Sequence, residues 1–130
     1  MFDIIVPIYR IPKSFLERCL ESIDDQTFTD YTVYVCDGTP EEHQDYNAEA
    51  LVLSYGFEYL RQDPAQPLVG GARNQAVATG YQPFLAFLDG DDYWYDGYLM
   101  EMKNAIEKSN EKTAIWSVSY TPLRAHETSY

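Results

Sequence analysis

The chain has 130 residues, a length typical of one domain, and its 9 basic and 21 acidic residues give a net charge of −12. Hydrophobic residues make up 45% of it and charged residues 23%. This composition is that of a globular protein and excludes disordered, collagen-like and coiled-coil chains. Because a strongly acidic protein repels polyanions, we expect no nucleic-acid partner.

The apolar runs are too short for a membrane span: the densest covers residues 84–88, whereas a span needs about 18. The N-terminal run, residues 2–7, carries an acid and ends at proline, so it makes a poor signal peptide. We therefore expect no transmembrane segment and a cytoplasmic location. Cys19 and Cys36 form no CxxC pair, and we expect reduced, half-buried thiols rather than a disulfide or a zinc site.

In the first half of the chain, β-branched runs alternate with segments whose apolar residues have helical spacing. Turn residues such as Gly38 and Pro40 separate them. The elements predicted here are a strand at residues 2–7, a helix that follows Pro12 and ends near Gln26, a strand at 31–36, a helix at 44–55 capped by Gly56, and a strand at 57–61.

The second half continues the alternation. Its run at residues 84–88 is continuously apolar, which is typical of a strand covered on both faces. The elements predicted here are a helix opened by Gly70 and closed by Gly80, the strand at 84–88, a helix at 97–109 and a strand at 114–118. We expect one domain over residues 1–120, followed at 121–130 by a polar tail or the start of a missing segment.

Strands that alternate with helices predict an α/β fold with a mainly parallel sheet flanked by helices on both faces. Ligands of such sheets bind outside the carboxyl ends of the strands. Three polar loops fall at that edge, at residues 9–10, 36–39 and 89–92. We expect them to converge on one crevice.

Three acids, Asp89, Asp91 and Asp92, follow the apolar strand directly, with Gly90 among them. Their mutual repulsion is relieved if a divalent cation sits among them, and carboxylate oxygens suit Mg²⁺ or Mn²⁺. A cation held this way keeps coordination positions for phosphate oxygens. The same acids can instead cap a turn before the aromatic residues that follow, and the spacing leaves both interpretations open.

Other polar and aromatic residues carry two interpretations each. Gly70 and Gly71 open a helix where backbone N–H groups can approach an anion, or they form a plain tight turn. Arg73 pairs with phosphate or is solvated. The aromatic residues after the acids pack in the core or form a wall for sugar stacking. Those aromatic residues are Tyr93, Trp94, Tyr95 and Tyr98, while His43 and His126 are expected at the surface.

Five segments, in their order and spacing, resemble the N-terminal half of a family 2 inverting glycosyltransferase of the GT-A fold. They are residues 4–9 (IIVPIY), 20–23 with Gln26 and Thr27 (LESI and QT), 35–39 (VCDGT), 71–74 (GARN) and 87–92 (FLDGDD). The resemblance implies that the chain binds a nucleotide-diphospho-sugar donor, usually a UDP or GDP sugar. It also implies a divalent metal, Mn²⁺ or Mg²⁺, which bridges the diphosphate to the acids and stabilises the departing charge.

Carried over by position, the resemblance assigns a role to several residues. Asp91 would coordinate the metal, and Asp89 would share that site and hydrogen-bond the ribose or the donor sugar. Asp37 would contact the base or ribose, and Arg73 would border the nucleotide pocket. The base would be lined by Pro7, Ile8 and Tyr9.

Two positions depart from the family's pattern. Many relatives carry two adjacent acids where this chain has Cys36 and Asp37, so Asp37 serves alone or the base contact is altered. Arg10 stands where the family often has asparagine.

The family's general base and most of its acceptor contacts lie in a following segment of comparable size. No convincing base follows Asp92 here. The chain is therefore expected to be a donor-binding fragment, or to receive its base from another chain, a homo-oligomer included. The acceptor is a glycan, lipid or protein that the sequence does not specify.

Two other functions compete with this interpretation. An Asp-x-Asp at a strand end also introduces haloacid-dehalogenase-like phosphatases, but that motif continues with Thr or Val on the first strand, whereas Tyr93 follows here on a later one. The second alternative is a non-catalytic module that binds a nucleotide sugar without transferring it. The missing acceptor half makes this module a serious competitor of the glycosyltransferase for the chain as supplied.

Overall fold

A computed structural model describes residues 1–62 and 82–109 of the chain. This part contains four strands, three α-helices and one 3₁₀ turn, at Glu41–His43. The elements are β1 (Phe2–Ile8), α1 (Lys13–Asp24), β2 (Tyr31–Asp37), α2 (Ala48–Ser54), β3 (Glu58–Arg61), β4 (Phe84–Phe87) and α3 (Tyr98–Lys108).

The four strands form one parallel sheet in the order β3, β2, β1, β4. β1 lies in the interior of the sheet and pairs with β2 along its whole length, from Phe2 opposite Tyr31 to Ile8 opposite Asp37. On its other side β1 pairs with β4. The connections through α1 and α2 return the chain to the same edge, which parallel pairing requires. The predicted α/β fold with a parallel sheet is confirmed.

The hydrophobic core lies between the sheet and the described helices. Alternate residues of β1, such as Ile4 and Val6, are fully buried against Leu16 and Leu20 of α1, and α2 and α3 contribute to the same cluster. Of the residues that the structure describes, those on the opposite face of the sheet form a smaller cluster around Ile5. The pleat explains this division because successive side chains of a strand point to opposite faces.

The predicted helix at 44–55 begins later than expected. Asn47 caps α2, since its Oδ1 accepts a hydrogen bond of 3.0 Å from the backbone N–H of Ala50. The residues before it form the 3₁₀ turn that follows Pro40. The predicted cap at the other end is confirmed, because Gly56 has a φ of 78°, a conformation that glycine adopts without strain.

Two predictions about burial are wrong. We expected β4 to be covered on both faces, but Leu85 and Phe87 are 45% and 44% exposed, because they point away from the face on which the described helices pack. We also expected half-buried thiols. Cys19 and Cys36 are both free and completely buried.

Several predicted features lie outside the described residues. They are the helix at 70–80 with Arg73, the strand at 114–118, His126 and the polar tail at 121–130. In the described ranges, no helix has both the length and the apolar character that crossing a membrane requires.

Candidate functional site

The three predicted loops meet at the carboxyl edge of the sheet. The backbone N–H of Arg10 donates a hydrogen bond of 2.8 Å to Oγ1 of Thr39, which joins the loop after β1 to the loop after β2. On the other side of β1, the N–H of Gly90 donates to the carbonyl of Pro7 over 3.3 Å. The end of β1 therefore holds both neighbouring loops, and the predicted convergence is confirmed.

The acids after β4 form a tight group. Carboxylate oxygens of Asp89, Asp91 and Asp92 lie within 4.8 Å of one another, with Asp89 and Asp91 exposed and Asp92 half-buried. The N–H of Asp92 donates to the carbonyl of Asp89 over 2.9 Å, so these acids also form a turn. Hard oxygen donors at this spacing fit a divalent cation such as Mg²⁺ or Mn²⁺.

Gly90 lets the acid-bearing turn lie directly on β1. A Cβ at this position would stand 2.4 Å from Cγ2 of Ile8 and 3.3 Å from Cγ1 of Ile11. Real side chains do not approach this closely, so only glycine fits without movement of Ile8. The glycine thus fixes the height of the acids above the end of β1.

Asp37 ends β2 as a buried carboxylate, with 1% of its surface exposed. Its Oδ1 accepts the N–H of Thr39 over 2.8 Å, and its Oδ2 accepts the hydroxyl of Tyr59 over 2.6 Å. Nη1 of Arg61 lies 3.4 Å from the same Oδ2. Buried charge is costly unless it is paired and hydrogen-bonded, and these contacts meet that requirement.

Tyr59 and Arg61 belong to β3, and the sequence analysis assigned them no role. The hydrogen bond to Tyr59 raises the pKa of Arg61, and Arg61 Nη2 donates to the carbonyl of Thr39 over 2.8 Å. They alternate along a short strand, and the preceding strand, β2, ends at an acid. This pattern could have located them from the sequence. In the sheet register Arg61 lies opposite Asp37.

A cleft of about 370 Å³ opens beside the ends of β1 and β2. Of the predicted nucleotide-binding residues, it takes in Ile8 and Asp37, whereas Pro7 and Tyr9 lie outside its lining. Pro7 is buried and Tyr9 is exposed. The lining residues are Ile8, Arg10, Ile11, Pro12, Lys13, Asp37, Thr39, His43, Gln44, Asp45, Tyr46 and Ala48.

The acid group and the cleft are distinct features of one edge, because Asp89 and Asp91 do not line the cleft. The structure thus brings the predicted metal ligands together at the end of β4 and places Asp37 with Ile8 at the ends of β2 and β1. His43 lies in the lining of the cleft and is exposed, which confirms the expectation of a surface histidine.

The aromatic residues after the acids serve mainly as packing groups. Trp94 and Tyr98 are buried, and their rings stack with centroids 4.5 Å apart. The guanidinium of Arg18 lies 4.4 Å from the centroid of the Tyr93 ring and donates to the carbonyl of Asp91 over 3.3 Å. The core interpretation is therefore confirmed for Trp94 and Tyr98.

Cys19 of α1 lies beneath the acids, with Sγ 3.7 Å from the carbonyl oxygen of Asp89, to which it donates. Burial raises the pKa of this thiol, and the negative charges of Asp92 and Asp91 raise it further. The thiol therefore stays protonated and makes a poor nucleophile. Its place in the site is that of a packing group with a weak hydrogen bond.

Comparison with known sequences gives a consistent match. Residues 3–126 match the sequence family described as Glycosyl transferase family 2. The succinoglycan biosynthesis protein ExoW of Rhizobium meliloti (strain 1021) is 33% identical over 101 residues, 75% of this chain and 31% of that protein. EpsJ of Bacillus subtilis (strain 168), described as an uncharacterized glycosyltransferase, is 30% identical over 94 residues, 72% of this chain and 26% of that protein.

A third relative has a more specific description. WfgD of Escherichia coli, a UDP-Glc:alpha-D-GlcNAc-diphosphoundecaprenol beta-1,3-glucosyltransferase, is 27% identical over 112 residues, 85% of this chain and 42% of that protein. The chain spans less than half the length of these three curated relatives.

Solved structures show the same fold. S. aureus TarS 1–349 in complex with UDP is similar with a TM-score of 0.71 at 22% identity, over 89% of this chain and 38% of that one. The corresponding complex with UDP-GlcNAc gives a TM-score of 0.66, also at 22% identity, over 89% of this chain and 37% of that one. At this identity the likeness shows the fold, and the expected GT-A architecture is confirmed.

Proposed function

The chain belongs to glycosyl transferase family 2, and on that premise we propose that it is the donor-binding part of a glycosyltransferase. The reaction proposed is transfer of a sugar from a nucleotide-diphosphate donor to an acceptor hydroxyl with inversion at the sugar carbon. The observation that carries the proposal is the group of carboxylates of Asp89, Asp91 and Asp92 at the sheet edge where parallel α/β folds bind ligands.

Asp91 and Asp89 are the residues that we assign to a divalent cation, Mn²⁺ or Mg²⁺. Both are exposed at the end of β4, where a diphosphate can reach a cation that they hold. Such a cation supplies Lewis acidity that stabilises negative charge on the leaving diphosphate. The net charge of −12 gives the cation a second role, since this protein otherwise repels an anionic donor.

The nucleoside is assigned to the other side of β1. Asp37 offers a carboxylate that is already oriented by Thr39 and Tyr59, and it can accept a further hydrogen bond from a base or ribose. We also propose that the base is lined by Pro7, Ile8 and Tyr9. Arg73 is proposed to border the nucleotide pocket.

The nucleotide is proposed to be uridine diphosphate or guanosine diphosphate. The TarS complexes with UDP and UDP-GlcNAc, and the UDP-glucose in the description of WfgD, support the first of these. The acceptor and the general base belong to the part of the reaction that this chain is not proposed to supply.

Titration calorimetry with UDP and GDP, each with and without Mn²⁺, tests the proposal. We expect Mn²⁺ to strengthen binding of one of the two at least tenfold, and Asp91→Ala to abolish that gain. Asp96→Ala is the matched control, because this exposed acid lies five positions further along and outside the carboxylate group. Binding that is equally strong in Asp91→Ala and the unaltered chain would contradict the metal assignment.

A non-catalytic nucleotide-sugar-binding module is the second candidate, because the described residues that are assigned a role here all serve donor binding. Hydrolysis of UDP-sugars in the presence of Mn²⁺ separates the two candidates. Release of free sugar at a rate above the Asp91→Ala background assigns catalysis to this chain. Tight binding without turnover assigns the module.

A further inference from the structure

We propose that Ser22, in α1, and Gln26, just beyond the C-terminal end of α1, are positioning residues for the carboxylate group. They hold the stretch of chain that begins at the acids and runs into α3, residues 89–99, which we call the acid segment. This inference rests on the proposed function, because it gives the two side chains a part in metal-dependent donor binding. Neither residue contacts the carboxylates, so their effect passes through the backbone of the acid segment.

Gln26 is 3% exposed, and its amide is fully engaged. Nε2 donates to the carbonyl of Ser22 over 3.1 Å and to the carbonyl of Tyr95 over 2.7 Å. Oε1 accepts the backbone N–H of Leu99 over 2.9 Å. One side chain thus binds a backbone acceptor and a backbone donor of the acid segment four residues apart, because an amide carries both a donor and an acceptor.

Ser22 makes a second connection closer to the acids. Its hydroxyl donates to the carbonyl of Cys19 over 2.7 Å and accepts the backbone N–H of Trp94 over 3.2 Å. Cys19 in turn donates its weak hydrogen bond to the carbonyl of Asp89. The two hydrogen bonds of Ser22 are buried, so the loss of either one leaves a polar group without water to replace its partner.

The spacing of Cys19, Ser22 and Gln26 explains how α1 and the residues just after it contact the acid segment at several points. Cys19 and Ser22 are three residues apart and lie on one face of α1, and Gln26, just after the helix, extends this row four positions beyond Ser22. Thr27, just beyond the helix, continues the row by donating its N–H to the carbonyl of Asp96 over 3.1 Å.

The acid segment leaves the sheet close to its start. The paired register of β4 ends at Phe87, and the N–H of Gly90 donates to the carbonyl of Pro7. Beyond that point, hydrogen bonds from Ser22, Gln26 and Thr27 hold the backbone of the segment. A carboxylate site works only when its ligands are held within a fraction of an ångström, and such precision comes from the groups that surround them.

The experiment compares Ser22→Ala and Gln26→Met with Ser22→Thr and Val52→Ala. Ser22→Ala removes the acceptor of Trp94, and Gln26→Met keeps the size of the side chain but removes its hydrogen bonds. Ser22→Thr retains the hydroxyl. Val52→Ala is the stability control, because Val52 is fully buried in α2, away from the acid segment.

Each variant is measured by calorimetry with UDP, with and without saturating Mn²⁺, by thermal unfolding, and by hydrogen exchange of amides 89–99. We expect Ser22→Ala and Gln26→Met to weaken Mn²⁺-dependent binding about tenfold or more while Mn²⁺-free affinity changes less than twofold. Exchange should quicken at the amides of residues 94–99. Ser22→Thr should stay within about threefold of the unaltered chain.

Equal losses of UDP affinity with and without Mn²⁺ would overturn the inference. A loss of affinity of the same size in Val52→Ala, at the same fall in Tm, would also overturn it. A merely structural role predicts both outcomes. Failure of the proposed function gives a different pattern: the unaltered chain then shows no Mn²⁺-dependent binding. In that case hydrogen exchange still decides the positioning role. Unchanged protection of the acid segment in Gln26→Met refutes it.

Discussion

The hydroxyl of Tyr59 on β3 donates a hydrogen bond of 2.6 Å to Oδ2 of Asp37 at the end of β2. The acceptor is a carboxylate with almost no solvent around it, and Arg61 supplies the opposite charge on the same side. This arrangement turns an energetically costly buried acid into an oriented hydrogen-bond acceptor.

Removal of that hydroxyl is expected to destabilise the protein. Hydrogen bonds to charged groups contribute more than those to neutral ones, so Tyr59→Phe should lower the free energy of unfolding by about 2 kcal/mol. Tyr46→Phe is the matched control, since that hydroxyl donates over 2.7 Å to a neutral acceptor, the carbonyl of Ile11, and should cost about 1 kcal/mol. Urea unfolding measures both, and a Tyr59→Phe cost no larger than the control would count against a charge-assisted bond.

The fold should lose stability in alkaline solution. Burial raises the pKa values of Tyr46, Tyr59 and Tyr98 to about 12, and at Tyr59 the hydrogen bond to Asp37 adds to the effect. Tyrosine in an unfolded chain has a pKa of about 10. The folded state therefore retains these protons longer, so their contribution is fully present below about pH 10 and is lost between about pH 10 and 12.

Urea unfolding at a series of pH values between about 8 and 12 checks this dependence. Tyr59→Phe and Tyr46→Phe should each reduce the steepness of the alkaline fall, since each removes one titrating group. A free energy of unfolding that stays constant up to about pH 12 would refute the explanation.

Arg10 has a φ of 54°, the left-handed region that asparagine and glycine tolerate and that other residues rarely adopt. Its N–H is fixed on Thr39, so the backbone cannot relax without losing that bond. The left-handed region costs most residues about 1–2 kcal/mol, so Arg10→Asn should raise the free energy of unfolding by part of this amount, about 1 kcal/mol. Arg10→Gln removes the charge without the conformational benefit, and an equal gain in both variants would show that charge is the cause.

Gly90→Ala should destabilise the protein and weaken Mn²⁺-dependent nucleotide binding together. The added methyl group overlaps Cγ2 of Ile8, and such overpacking costs about 1–3 kcal/mol. At Gly97 the nearest atom to an added Cβ is Cε2 of Tyr95 at 3.5 Å, an ordinary contact, so Gly97→Ala is the control. Thermal unfolding and calorimetry measure the pair, and equal effects at both glycines would rule out the clash.

The sequence sufficed to predict how the loops converge, because that follows from the alternation of strands and helices. The acids at 89–92 and the loop at 36–39 lie far apart in the chain, yet parallel strands bring their ends to the same edge. Periodicity could not predict the start of α2, which depends on Asn47 capping the N–H of Ala50. It also failed for β4, because an apolar run does not show whether anything covers Leu85 and Phe87.

Side-chain networks were harder to anticipate than elements. Gln26 was noted only as the end of the predicted first helix and as part of the resemblance, and its hydrogen bonds to Tyr95 and Leu99 join residues that share no local pattern. Arg61 and Tyr59 likewise act on Asp37 across a strand pairing. Spacing along a chain predicts which face a residue occupies, but it does not identify the partner that faces it.

The position of β1 between β2 and β4 has a consequence for how the molecule assembles. β1 and β2 are separated by a single helix, whereas β4 comes from the far half of the chain. Closing the longer loop costs more entropy, so the β1–β4 ladder should form last during folding. On the ribosome, a growing chain is then expected to complete the Asp37 side of the edge before the side that carries Asp89 and Asp91 exists.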